Sequence, residues 1–287
     1  MALPVFHVQQ LPIAEANPLR FNSKLAVDWL VRFLRQECVE HRGITEAVIG
    51  LSGGVDSAVV AYLAAKAFGA DHTHAVMMPY KSSSQQSVDH AQIIVDQLGI
   101  KSQTVSISDM VDGYADFCQD EVSPQRLGNI CARCRMIVMF DQSSRLNGLP
   151  IGTGNKSERL FGYFTWHADD SPPINPLGDL FKTQVWDLAR ELGVPNEIID
   201  KPASADLVKN QTDESDFGIT YLKADKILYY MTAGYPKEKL VEMGFDQGDV
   251  NLVWQRVAST HWKRRLPTVA MMGYSTIGEY YLRPVDY

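Results

Sequence analysis

The sequence predicts an α/β protein: a doubly wound parallel sheet flanked by helices, with an N-terminal helix and a C-terminal helical extension. Three observations carry that prediction. Short apolar runs alternate with longer segments of helical periodicity, the pattern of strand–helix–strand units that pair in parallel. Paired glycines, Gly53-Gly54, stand between the first apolar run and the helix after it, where such a sheet places its ligand loop. Hydrophobic residues make up 45% and charged residues 21% of 287 positions, an ordinary globular composition with chain enough for a large core.

Residues 1–21, with Pro4, Pro12 and Pro18 and no periodicity, read as an arm. Residues 22–270 read as a single domain and 271–287 as a tail. In the domain, Leu25, Trp29, Phe33 and Leu34 recur at helical spacing, with Gly43 where a C-cap belongs. That apolar spacing suits a core face or a subunit contact equally. A strand follows at Ala47–Leu51, then a helix at Asp56–Phe68 that ends at Gly69. Further strands are expected at His74–Met78, Gln103–Ile107 and Leu149–Thr153, and helices at Ser87–Leu98, Arg126–Arg145 and Thr183–Leu192. Residues 220–260 read as more helices before the basic run Lys263–Arg265. Tyr80–Ser87 and Ser204–Gly218 carry few apolar anchors, so both are expected to be mobile without ligand and to close as lids.

Composition also excludes functions. The longest apolar stretch, Ala58–Ala65, is too short to span a membrane. The N-terminus shows no basic start followed by an apolar core, so no secretory signal is read, and four cysteines then suggest reduced thiols in the cytoplasm. A net charge of −7 argues against broad nucleic-acid binding. The seven histidines make no zinc pattern.

The most specific feature is Ser52-Gly53-Gly54-Val55-Asp56-Ser57 between strand and helix. Glycines let the backbone approach a phosphate, and the helix start offers N–H groups and a positive dipole end. Ser52 and Ser57 add hydroxyls. Asp56 repels phosphate unless it holds Mg²⁺, which takes carboxylates together with nucleotide phosphates. No lysine precedes Ser57, so the loop is not a Walker A motif.

This hexapeptide resembles the signature loop of the N-type ATP pyrophosphatases, of adenine nucleotide alpha hydrolase-like fold. Further blocks, Gly152-Thr153-Gly154-Asn155-Lys156-Ser157-Glu158, Ile174-Asn175-Pro176-Leu177-Gly178-Asp179-Leu180-Phe181-Lys182, Lys201-Pro202-Ala203-Ser204 and Lys263-Arg264-Arg265, come in the order of the ammonia-dependent NAD⁺ synthetases. The resemblance implies amidation of deamido-NAD⁺ by ammonia through an adenylated nicotinate, with ATP as co-substrate, Mg²⁺ as cofactor and a homodimer built on the helix around Leu25–Leu34. It implies ATP contacts at Gly50, Leu51, Ser52, Gly53, Gly54, Val55, Asp56, Ser57, Thr153, Lys182 and Ser204, and Mg²⁺ on Asp56 and Glu158. Deamido-NAD⁺ contacts fall on Arg133, Trp166, Asp169, Trp262 and Lys263. Asp56, Lys182 and Asp169 are the implied catalytic residues, Asp169 as the group that binds ammonium or takes its proton. The family often has lysine or leucine at Trp166, aspartate at Pro173, histidine at Trp262 and threonine at Ser204. The nitrilase-like domain of glutamine-dependent relatives has no counterpart here, so ammonia is expected free or from another protein. Two alternatives stand beside this: a tRNA thiolase of the same superfamily using the Cys131/Cys134 pair, and a non-catalytic ATP-binding sensor.

Overall fold

The computed structural model describes residues 17–204, 212–264, 269–270 and 272–273. Most of the expected arm and tail, the middle of the Ser204–Gly218 segment and Arg265 lie outside them. Four strands form one parallel sheet in the order β3-β2-β1-β4: β1 (Ala47–Gly50), β2 (Thr73–Met77), β3 (Lys101–Thr104) and β4 (Leu149–Pro150). Register is set by Ala47 opposite Thr73 and Leu149, and by His74 opposite Lys101.

Helices cover both faces. On one, α1 (Ser23–Leu34), α2 (Val55–Phe68), α3 (Gln85–Leu98), α7 (Lys182–Leu192) and α8 (Asn196–Ile199) enclose Ala47, Ile49 and Ala75. On the other, α4 (Ser108–Phe117) and α5 (Pro124–Leu146) enclose Val48 and Val76, together with Val111, Cys131 and Val138. Successive β1 residues thus feed opposite cores, as the two-residue period of a strand requires. A third core joins α6 (Lys156–Phe161), α9 (Asp213–Phe217), α10 (Tyr221–Thr232), α11 (Lys237–Glu242) and α12 (Gln247–Ser259) around Phe161, Phe217, Tyr221, Leu240 and Val253. The doubly wound parallel sheet and the helical extension are therefore present.

Several boundaries differ from the sequence expectation. The strand expected at Gln103–Ile107 is paired at Lys101–Thr104, because it follows the register of β2 rather than its own apolar residues. Single bonds prolong the ladder, from Val105 N–H to the Met77 carbonyl at 2.8 Å and from Ile107 N–H to the Pro79 carbonyl at 3.0 Å. The strand expected at Leu149–Thr153 stops at Pro150, with one further bridge between Ile151 and Ile174. α1 settles the ambiguity of its apolar spacing: Val27, Leu30 and Leu34 enter the core, while Leu25 and Trp29 are 66% and 64% exposed. Gly69 ends α2 at φ +89°, as expected. Tyr80–Ser87 holds more contacts than its composition suggests. Tyr80 is buried, its hydroxyl donates to Asp112 at 2.8 Å, and Lys81 pairs with the same carboxylate.

Candidate active site

The Ser52–Ser57 loop leaves β1 and enters α2 at the carboxyl end of the sheet. Gly53 takes φ +75°, and a Cβ there would lie 2.0 Å from the Ser87 carbonyl oxygen, so only glycine fits. The two serine hydroxyls are engaged within the loop. Ser57 Oγ donates to the Gly54 carbonyl at 3.0 Å and accepts from Ser52 N–H at 3.2 Å, and the two Oγ atoms lie 3.1 Å apart. The hydroxyls fix the loop's shape. The first N–H groups of α2, ahead of the ladder that starts at Ala58 N–H to the Gly54 carbonyl, are the backbone donors the loop can offer an anion.

Asp56, in the first turn of α2, faces α6. Asn155 caps α6 and is fully buried. Its amide donates to Asp56 Oδ1 at 2.9 Å, its carbonyl oxygen accepts from Glu158 N–H at 3.0 Å, and its own N–H donates to Glu158 Oε2 at 3.3 Å. One side chain thereby holds two carboxylates that are 102 positions apart in sequence. Each carboxylate has its other oxygen turned to Lys182. The ammonium donates to Asp56 Oδ2 and lies 3.4 Å from Glu158 Oε1, with 3% of the Lys182 side chain exposed. Burial alone would lower the lysine pKa, but the charges of Asp56 and Glu158 prevail and hold it above its usual value. Burial, then Asp56, raises the Glu158 carboxyl against the pull of Lys182.

Lys182 is held from behind. It opens α7, where its backbone N–H donates to Ser157 Oγ at 2.9 Å. Asp225, fully buried on α10, accepts from Ser157 Oγ at 2.5 Å and from Thr183 N–H at 2.9 Å. Burial raises the Asp225 carboxyl, opposed by the bonds from Ser157 and Thr183. Behind the ammonium, Tyr221 presents its ring at 5.6 Å and donates its hydroxyl to Asp213 at 2.9 Å. Asp213 is 4% exposed, and its Oδ1 has no hydrogen-bond partner among the described residues.

Asp56, Asn155, Glu158, Lys182 and Asp213 line a cleft of about 1300 Å³. Thr153, Ser204, Arg133, Trp166, Asp169, Trp262 and Lys263 line it too, so nearly all residues singled out in the sequence converge there. Gly53 does not; it packs against α3. At the far end, Trp166 and Trp262 meet edge to face at 5.3 Å, and Arg133 donates to the Trp166 carbonyl at 3.2 Å. Lys263 donates to the carbonyls of Gly162, at 2.6 Å, and Phe164. Asp169 faces the open cleft while its Oδ2 accepts from Thr165 N–H at 2.7 Å. Surrounding protein limits the hydration of its carboxyl and raises it, opposed by the Thr165 bond and by Arg135. Cys131 and Cys134 are buried among apolar side chains, and burial raises both thiols.

The carboxylates fit a divalent cation. One ammonium already touches an oxygen of each, so both oxygens reach one point. No cluster of three such ligands occurs among the described residues. Two carboxylates without a third suit Mg²⁺ completed by nucleotide phosphates and water. Sequence reasoning gave no role to Asn155, Ser157, Asp213 or Asp225. For Asn155 a signal existed, because Asn-x-x-Glu ahead of an apolar residue is a capping-box pattern.

A family model described as NAD synthase matches residues 26–267. An NH₃-dependent NAD⁺ synthetase from Fusobacterium nucleatum is 44% identical over 255 residues, covering 88% of this chain and 98% of its own. Among solved structures, an NMN synthetase from Francisella tularensis superposes with a TM-score of 0.78 at 31% identity, over 88% of this chain and 99% of its own. An NH₃-dependent NAD synthetase from Campylobacter jejuni superposes with a TM-score of 0.76 at 27% identity, over 88% of this chain and 100% of its own. The phosphate loop, the carboxylate pair and this match over most of the chain agree, and the chain belongs to the NAD synthase family.

Proposed function

We propose that this protein amidates deamido-NAD⁺ with ammonia at the expense of ATP, releasing AMP and pyrophosphate. The observation that carries this reading is the meeting of Asp56, Glu158 and Lys182 at the mouth of the phosphate loop. The first turn of α2 binds the triphosphate through its N–H groups, and Thr153 and Ser204 add hydroxyls at the same cleft. Asp56 and Glu158 would hold Mg²⁺, which would supply positive charge against the phosphates so that an anionic carboxylate could approach. Lys182 supplies a positive charge to the pyrophosphate as it leaves. Arg133, the Trp166–Trp262 pair and Lys263 seat the dinucleotide. Asp169, which lines the cleft with one oxygen on Thr165 N–H, attracts ammonium. Its raised pKa makes it a better proton acceptor than an ordinary aspartate.

Residues 22–270 act as one catalytic domain in this reading, with an arm before and a tail after. The exposed Leu25 and Trp29 on α1 suit a homodimer contact, to be read from the solution mass. A cytoplasmic site accords with four free cysteines, and no helix among the described residues is long and apolar enough to cross a membrane. The deciding assay supplies MgATP and deamido-NAD⁺ with either ammonium or ammonia-free glutamine. NAD⁺ is expected with ammonium alone, and equal turnover with glutamine rejects the ammonia reading. Because the Francisella relative is an NMN synthetase, nicotinate mononucleotide enters the same assay as competitor. Replacing Cys131 and Cys134 together by alanine should leave synthesis intact; loss of synthesis in a folded variant would revive the thiolase reading.

A further inference from the structure

Lys182 differs from Arg133 and Lys263 in its partners. Arg133 and Lys263 spend their donors on backbone carbonyls, which carry no net charge. The Lys182 ammonium instead occupies the point on which Asp56 Oδ2 and Glu158 Oε1 converge. The opposite oxygens of both carboxylates are tied to Asn155, so neither can turn to offer a cation a different approach.

We infer that Lys182 is a built-in counter-ion that competes with the divalent cation for Asp56 and Glu158, and yields them only when a polyphosphate draws its ammonium away. The inference rests on the reading that these two carboxylates hold the cation. Its consequence is that cation and nucleotide enter as one obligatory pair. The lysine backbone is pinned through Ser157 and α7, so only the four-carbon side chain can swing. A divalent cation arriving alone would leave a nearly inaccessible ammonium beside two like charges, in surroundings that screen poorly. A triphosphate on the first turn of α2 changes the balance, because its oxygens give the displaced ammonium a partner as strong as the one it lost. Asp56 stands in that same turn, so the swing is short. Binding the cation and freeing the lysine for the leaving pyrophosphate are then one event.

The test uses the full-length protein, with Mn²⁺ as the cation probe and its free concentration read by electron paramagnetic resonance. Without nucleotide, the wild type should bind Mn²⁺ weakly. Lys182→Met should bind it tighter by a factor on the order of 5 to 150, the span of ordinary coupling between two ligands. Lys182→Arg keeps the charge and should stay weak, and Lys182→Gln replaces the Met variant if that does not fold. Nucleotide-free binding by the wild type as tight as that of the neutral variants would overturn the inference. It would mean that the ammonium steps aside unaided, for instance onto the buried Oδ1 of Asp213, which has no hydrogen-bond partner among the described residues. A second arm adds the non-hydrolysable α,β-methylene analogue of ATP and asks whether Asp56→Asn loses the bound Mn²⁺. If it does not, the cation assignment itself fails, which separates that failure from failure of the counter-ion.

Discussion

Asp225→Ala tests whether the position of Lys182 depends on a residue that never touches the cleft. The substitution removes a fully buried carboxylate and leaves the Thr183 N–H and the Ser157 hydroxyl without the acceptors they have at 2.9 Å and 2.5 Å. Hydrogen bonds to a charged group contribute about 1.5–3 kcal/mol each, so two of them represent about 3–6 kcal/mol. Relief from burying a carboxylate, which the raised Asp225 carboxyl signals, offsets part of this and leaves a net loss of about 3 kcal/mol. Domains of this size lose about 2–4 °C per kcal/mol, so the melting temperature should fall by roughly 6–12 °C. Turnover, measured well below that transition, should fall more than about tenfold, because the first turn of α7 no longer positions the lysine side chain between the carboxylates and the incoming phosphates. The measurements are urea unfolding followed by circular dichroism, and NAD⁺ formation at 15–20 °C, temperatures roughly in the range of greatest stability. Ser157→Ala should then cost less in the Asp225→Ala background than in the wild type, since both act through one network. A stability loss under about 1 kcal/mol with normal turnover would refute the account, because a severed buried network costs more than that.

Asp56→Asn keeps the size of the side chain and its contact with Asn155 while removing the charge, so pyrophosphate release should collapse without loss of fold; release at the normal rate refutes the cation assignment. Gly53→Ala forces a residue with a Cβ to φ +75° against the Ser87 carbonyl, at about 1–2 kcal/mol for the left-handed backbone plus a displacement of α3. ATP affinity by calorimetry should drop at least about tenfold, which corresponds to 1.4 kcal/mol, and unchanged affinity would show that the loop tolerates the shift. Glu46 receives short bonds from His74 and His72, both at 2.6 Å, and the His74 bond most of all lowers its carboxyl below the usual value. A lowered carboxyl contributes stability that is present above its unfolded pKa and lost as pH falls through the folded value. Glu46→Gln should therefore lower the urea midpoint at pH 7 and match the wild type in strong acid; an equal difference at both ends contradicts this.

The phosphate loop, the four strands and most long helices were legible in the sequence because each depends on near neighbours: periodicity, a glycine pair, a capping residue. What escaped depends on the register of distant segments. Asp225 meets Ser157 from 68 positions away, and nothing in the Tyr221–Thr232 periodicity marks an aspartate as an anchor. β3 was misplaced because its residues, Lys101–Thr104, are polar and face outward, so pairing with β2 decides the strand rather than hydrophobicity. α4 went unread although Val111 and Ile107 are fully buried, since a short amphipathic helix leaves little pattern. Ser52 and Ser57 carry a second role that their types do not announce. Their types suit a phosphate, and the geometry employs them to brace the loop.

The Asn155 bridge also has a use outside enzymology. It joins groups contributed by two halves of the chain, Asp56 before the Asn147-Gly148 turn and Glu158 with Lys182 after it. Cut at that turn, the protein would yield one fragment with the phosphate loop but half the cation ligands, and another with the rest but no loop. Neither piece has a complete set. Fused to two proteins that find each other, the fragments would regain it only when brought together, so the appearance of NAD⁺ would report the encounter.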